Sequence, residues 1–322
     1  MKAFFKFLWG AIKAFHTIAA SILLLFIFII LAGVLAEKPG ITVPDGAALL
    51  FAPKGMLVEK QREPTLEDLM DGAPIADETV LREAVRALEA ARDDARIKAL
   101  VLDPDDLAGG GPAALHALGR AIEDFKASGK PVFAIGDSYS QAQYLLAAHA
   151  DKLWMNPMGS VSLTGYGVYV PHFASALKKL KAKVHVFRVG TYKSAVEPFI
   201  RDDMSPAAKE ANRAFLTLLW RHYVDEVTRL RGLEEGAIDR AIAEMVPRLK
   251  AAGGDEAKLA LAEGWVDELR TRREMAQGVA EIVGADAAHG FRQIAYTDYL
   301  KTLKTKNADA PAIAVIPLRG AI

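Results

Sequence analysis

The chain contains no cysteine. That absence excludes disulfides, thiol nucleophiles and cysteine-based metal sites, and it fits an oxidising compartment without requiring one. There is no excess of charge either: 40 basic residues face 40 acidic ones. With no basic arm and no long run of one sign, neither nucleic acid nor another polyanion is an expected partner. The seven histidines are scattered and no His-Glu-x-x-His occurs, which argues against a zinc peptidase. No cofactor or metal is implied. His149, on an apolar stretch just before Asp151, reads as a core residue rather than a ligand.

What is present begins with an apolar run. Ala14 to Ala36 contains no Lys, Arg, Asp or Glu; as a helix it would extend roughly 35 Å, enough to cross a bilayer core. The apolar region of a cleaved secretory signal is usually only about 7–15 residues, so an uncleaved anchor is favoured, although Val34-Leu35-Ala36 keeps cleavage open. Lys2, Lys6 and Lys13 precede the span with no acidic residue among them. The positive-inside bias therefore places residues 1–13 in the cytoplasm, 14–36 in the membrane and the rest across it.

Beyond the anchor, strand and helix patterns alternate. Ala47–Ala52, Ile97–Leu102, Pro131–Ile135 and Lys152–Met155 read as strands, and Val184–Val189 as a further, half-buried one. Helices are expected over 79–94, with Thr79 as N-cap, and over 112–127, 141–150 and 174–181. Ser205-Pro206 supplies a cap and first-turn proline for the longest helix, ending near Gly232; further helical segments follow to about Leu249 and after Gly253-Gly254-Asp255. The alternation argues for α/β units.

One lysine stands out. Lys193 follows the alternating run Val184–Val189, with Gly190 marking a turn and Pro198 forbidding an ordinary helix. Hemmed by Tyr192 and Phe199, its amine is expected to be desolvated enough to lose its proton, which a lysine needs in order to act as a general base. The segment Gly190-Thr191-Tyr192-Lys193-Ser194-Ala195-Val196-Glu197-Pro198-Phe199, continuing to Pro206, resembles the lysine-bearing segment of the signal peptide peptidase A family, the long two-repeat form (protease IV) of peptidase family S49. The likeness is sharpest between Gly136 and Pro206. It implies a bacterial inner-membrane serine endopeptidase with a Ser-Lys dyad, which degrades signal peptides left in the membrane after secretion. It also implies a crotonase/ClpP-like fold of repeated ββα units with a helical arm, and homo-oligomers. Lys193 is carried over as the catalytic base; Glu197 is then expected to point away from it, since a carboxylate touching the amine would hold it charged.

The nucleophile is where the chain departs from the family. In the family's catalytic repeat a Ser-Gly-Gly turn starts the helix running into Ala-Asp-Lys; here that passage is Asp137-Ser138-Tyr139-Ser140-Gln141-Ala142-Gln143. The serine position falls on Gln141, and the two glycines on Ala142 and Gln143. Ser140 would serve only if the turn slipped by one residue; otherwise Ser138 or Ser140 caps the helix. The family's Thr-Gly-Ser, whose serine helps position the lysine, is Thr164-Gly165-Tyr166 here. Gly109-Gly110-Gly111 invites a phosphate-cradle reading, but it lies too far from its strand for a tight dinucleotide turn and reads instead as a relic loop.

Near the other end, Ala312-Ile313-Ala314-Val315-Ile316-Pro317-Leu318-Arg319-Gly320 echoes Ala47 to Gly55, as a second repeat beginning would. The expected organisation is thus a first repeat over 37–310 and the start of another over 311–322, with the serine in the missing sequence. The alternative reading is a non-catalytic, membrane-anchored scaffold or binding module. Acyl-CoA chemistry on the same fold is disfavoured by the anchor and its orientation.

Overall fold

Period-two alternation of apolar side chains builds the centre of the protein. In the strands Ala47–Phe51, Ile97–Leu102, Val132–Gly136 and Lys152–Met155, neighbouring residues serve opposite faces of one sheet. Leu49, Leu100, Leu102, Val132, Ala134 and Leu153 belong to one buried cluster, whereas Ala48, Ala99, Val101, Phe133, Ile135 and Trp154 belong to another. A strand apolar on both faces is what a covered parallel sheet demands. This architecture was read from a computed structural model, which describes residues 1–35, 40–65, 68, 70 and 76–303.

The sheet has six strands in the order Glu268–Leu269, Lys152–Met155, Val132–Gly136, Ile97–Leu102, Ala47–Phe51 and Gln293–Ala295, and every pairing in it is parallel. Helices Leu81–Asp93, Pro112–Lys126, Gln141–Ala147 and Tyr296–Thr302 contribute to the larger cluster. Helix Arg272–Val283 covers the other face through Met275, Val279 and Val283. There a Cβ on Gly278 would lie 2.6 Å from the Trp154 ring, so the indole packs directly on the helix backbone. A second, three-stranded parallel sheet joins Glu78–Val80, Gly55–Val58 and Leu107–Gly110.

The α/β class agrees with the sequence reading; several details do not. Thr79 is a strand residue and no cap: its hydroxyl donates to the Lys54 carbonyl and accepts from the Lys54 amide, both at 2.9 Å. Val184–Val189 forms no ladder among the described residues, and Phe187 and Val189 are 97% and 91% exposed. The alternating pattern is there, but a strand needs a partner edge, and none among the described residues lies beside it. The expected second-repeat start, 311–322, lies outside the described residues.

The N-terminal helix is a unit apart. It runs from Lys2 to Leu35, and Phe4–Leu31 is long and apolar enough to cross a membrane, its most apolar stretch of 18 residues having a mean hydropathy of 2.6. The helix begins before the charge-free run from Ala14 and takes in Lys2, Lys6 and Lys13. Twenty-eight residues at about 1.5 Å each span roughly 42 Å.

His149 is buried, as expected, but not satisfied: neither ring nitrogen has a hydrogen-bond partner. It lies against Gly119, where a Cβ would come within 2.4 Å of Nε2. Glu123 and His116 face it from one helix and Glu226 and Arg229 from the long arm helix Pro206–Arg231. Arg229 Nη2 already bridges the two carboxylates at 2.7 and 2.6 Å, so the cluster is an internal ion pair. Burial, opposed by Glu123 and Glu226, lowers His149 to about 4. Between that value and the roughly 6.5 of a free imidazole, the unfolded chain binds a proton that the folded one refuses. Stability therefore falls as pH drops through this window, by about 2 kcal/mol from pH 7 to pH 5. Urea titrations of the wild type and His149→Leu at both pH values should show that this component vanishes in the variant.

Candidate active site

The turn that should present a nucleophile is instead closed on itself. Tyr139 is buried beneath it, its hydroxyl donating to the Trp154 carbonyl at 2.6 Å. Ser140 is the N-cap of helix Gln141–Ala147 in a capping box with Gln143, whose Oε1 accepts from the Ser140 amide at 2.7 Å. This is the local role that serine takes most readily. Ser138 Oγ accepts from the Ser160 amide at 3.1 Å, tying down the loop across from it.

The two glutamines complete the closure. Gln143 Nε2 donates to the carbonyls of Asp105 and Leu107, at 3.1 and 2.9 Å. Its side chain thus occupies the space between the turn and the loop leading to Gly109-Gly110-Gly111. Gln141, at the expected serine position, accepts from the Gly165 amide at 2.8 Å and donates to the Gly165 carbonyl at 3.3 Å. One side-chain amide pairs with one backbone unit as a neighbouring strand would. Tyr166, next in the loop, packs against the main core. The glycines are explained by packing: Gly109 and Gly110 pair with Met56 and Leu57 in the smaller sheet, and a Cβ on Gly110 would press to 2.9 Å from that of Leu57.

Lys193 stands elsewhere and in a different state. No hydrogen bond or ion pair engages its amine among the described residues, and none joins it to Ser138, Ser140 or Gln141. The expected burial between Tyr192 and Phe199 is not found: both are exposed, at 58% and 47%, and Lys193 is exposed with them. The loop is short of neighbours because the preceding Val184–Val189 segment has no strand to lie on. The backbone, by contrast, is well held. Arg188 Nη1 donates to the Lys193 carbonyl at 2.6 Å, and Gly190 takes a φ of +111° at the turn before it. Glu197 does turn away from the amine: it is buried, and its Oε2 accepts from the Ser205 amide at 2.9 Å. Hydrogen bonds from Ser205 hold its carboxyl below the ordinary carboxylate range.

A further constellation had no signal in the sequence. Arg272 donates to Asp103 at 3.0 Å and to Asp137 at 3.2 Å, and also pairs with Asp105. These residues meet only because the strands end side by side. Burial pushes the Asp105 carboxyl up, with Arg272 opposing. The guanidinium closes the carboxyl ends of the central strands, where open α/β sheets usually hold ligands.

Residues 124–281 match Peptidase family S49, and the chain is 37% identical over 336 residues to a protein named Protease 4 from Salmonella typhi. This chain belongs to peptidase family S49. The Salmonella match covers 99% of this chain and 53% of the relative. Another Protease 4, from Haemophilus influenzae, is 32% identical over 98% of this chain and 53% of its own length. The S49 chain thus spans about half the length of the curated relatives it matches. Among solved structures, an enoyl-CoA hydratase/isomerase family protein from Silicibacter pomeroyi superposes with a TM-score of 0.32 at 19% identity, over 64% of this chain and 70% of that one. An enoyl-CoA hydratase/isomerase (crotonase) from Legionella pneumophila gives 0.30 at 13%, over 65% and 68%. Likeness at that level carries no functional argument.

Proposed function

We propose that this chain is the lysine-bearing part of a membrane-anchored serine endopeptidase that degrades cleaved signal peptides. Lys193 is its general base, and the serine comes from a second repeat. The observation that carries this reading is the contrast between the two halves of the dyad. Ser138 and Ser140 serve as local acceptors, Ser140 as a helix cap, and the expected serine position is Gln141, paired with Gly165, while Lys193 has a fixed backbone and, among the described residues, an unengaged amine. Just before it Phe187 and Val189 are more than nine-tenths exposed. An apolar surface of this kind, with an unpaired strand-like segment, suits a docked repeat. Docking would also supply the desolvation that a neutral lysine requires.

In the reaction, Lys193 Nζ takes the proton from the serine hydroxyl as the oxygen attacks the peptide carbonyl carbon. The ammonium then gives that proton to the departing amine as the C–N bond breaks. A water, deprotonated by the same amine, attacks the acyl-serine, and the serine oxygen regains its proton. The apolar Phe4–Leu31 helix anchors the protein to the inner membrane, with the bulk of the chain in the periplasm. There its substrates, apolar peptides left by secretion, are held in the same bilayer.

The structural use of both serines also favours a second reading, an anchored binding module without catalysis. A fluorophosphonate probe separates the two. Applied to membranes carrying the intact gene product, it should label a serine outside residues 1–322. Labelling of Ser140 would mean a self-contained dyad, and no labelling at all would favour the binding module.

A further inference from the structure

Between Asp151 and Glu197 the chain contains no carboxylate. Glu197 is therefore the acidic group nearest in sequence to Lys193, four residues on, and it is the one most able to trap the amine as an ammonium. It is 97% buried behind the lysine loop, in the wall of a cavity of about 210 Å³ that His172, Ser194 and Met204 also line. One oxygen, Oε2, is taken by the Ser205 amide, at the cap of the arm helix. The other, Oε1, lies 3.9 Å from Arg188 Nη1. The same nitrogen donates to the Lys193 carbonyl. One guanidinium nitrogen thus hydrogen-bonds the lysine backbone and lies within ion-pair range of the competing carboxylate.

We propose that Arg188 and Glu197 are a positioning pair for the lysine base, Arg188 fixing the Lys193 backbone while occupying the carboxylate that would otherwise pair with the amine. This rests on Lys193 being the base. The other charged and titratable groups facing Glu197 are few. Arg201, on its own segment, is paired with Asp203 at 2.6 Å. His172 lies across the cavity, before helix Ala174–Lys179. Asp202 is bound to Ser175 at 2.6 and 2.8 Å. Lys209, on the arm helix, lies 3.7 Å from Asp203. None of them bridges Glu197 and Lys193 as Arg188 does. Removing Arg188 has two effects of the same sign: it takes a positive charge from the Lys193 backbone, and it leaves Glu197 Oε1 without the cation in its range. Both make the ammonium form of Lys193 easier to hold.

The test measures kcat/KM for a fluorogenic apolar peptide from pH 6 to 10, using the intact gene product. In Arg188→Met the pH at which activity rises should move up by about one unit, so that activity at pH 7 falls about tenfold and recovers towards the alkaline plateau. Adding Glu197→Gln to that variant should move the limb back, because the amide keeps the Ser205 hydrogen bond and loses the charge. Arg188→Lys, which keeps the charge without the planar fork, should keep the wild-type limb with a lower plateau, and it covers the case in which the methionine variant does not fold. A uniform loss at every pH, or an unmoved limb in Arg188→Met, overturns the pair. Retained turnover in Lys193→Ala would instead overturn the reading beneath it, so the two failures are told apart.

Discussion

Lys193→Ala should lower peptide cleavage by the intact gene product by about 10³-fold or more, in line with the loss of a general base that serves both steps of acyl transfer. Lys193→Arg should be equally inactive, since a guanidinium does not deprotonate in a protein. Neither change should disturb folding. The side chain is exposed, makes no hydrogen bond among the described residues, and is held only through its carbonyl, which every substitution keeps. Thermal unfolding within about 1 °C of the wild type, together with abolished turnover, is the expected pattern. Turnover within tenfold of wild type in either variant would show that the base lies elsewhere.

Asp267→Ala should produce the largest loss of stability. Arg231 closes the arm helix Pro206–Arg231 with its side chain only 8% exposed, and Asp267 Oδ1 accepts from its Nη2 at 2.6 Å. The other oxygen of the same carboxylate accepts from the Leu153 amide at 2.7 Å, at the start of a central strand. Alanine would strand a buried cation and leave a strand amide unpaired. Gly264 offers Arg231 its carbonyl at 3.3 Å, which hydrogen-bonds the guanidinium but does not neutralise it. Breaking such a pair costs about 3 kcal/mol or more, or roughly 6–12 °C in Tm for a domain of this size. Asp267→Asn should lose less, because an amide oxygen still serves Leu153. Adding Arg231→Met to the alanine variant should recover part of the loss by removing the stranded charge. Thermal melts followed by circular dichroism test the series, and a drop below about 2 °C in Asp267→Ala would refute the assignment.

The four central strands were legible because each is almost wholly apolar, Lys98 and Lys152 apart, and a strand covered on both faces announces itself locally. The arm helix was legible for the same kind of reason: Ser205 and Pro206 are adjacent in sequence to the helix they start. The region after Asp267 was not. Gln293–Ala295 is a three-residue strand, too short to show a period, and it exists because Ala48 to Leu50 offer a parallel edge. Helix Arg272–Val283 carries the glycine at position 278 in its interior, a residue that weakens any sequence-based expectation of a helix. Its reason is the Trp154 ring from a distant strand.

The same division runs through the site. The sequence by itself determined the apolar N-terminal helix, the lysine segment, the departure at Gln141 and the likeness to peptidase family S49, all of which lie in contiguous residues. The cap at Ser140 was legible in the sequence; only the tertiary structure decided that Gln141 pairs with Gly165, that Gln143 reaches the carbonyls of Asp105 and Leu107, and that Arg188 holds the Lys193 carbonyl within ion-pair range of Glu197. It also decided that the lysine is exposed where local sequence suggested burial. Burial and hydrogen-bond satisfaction are properties of what comes to lie alongside a segment, and for Val184–Val189 no strand among the described residues does.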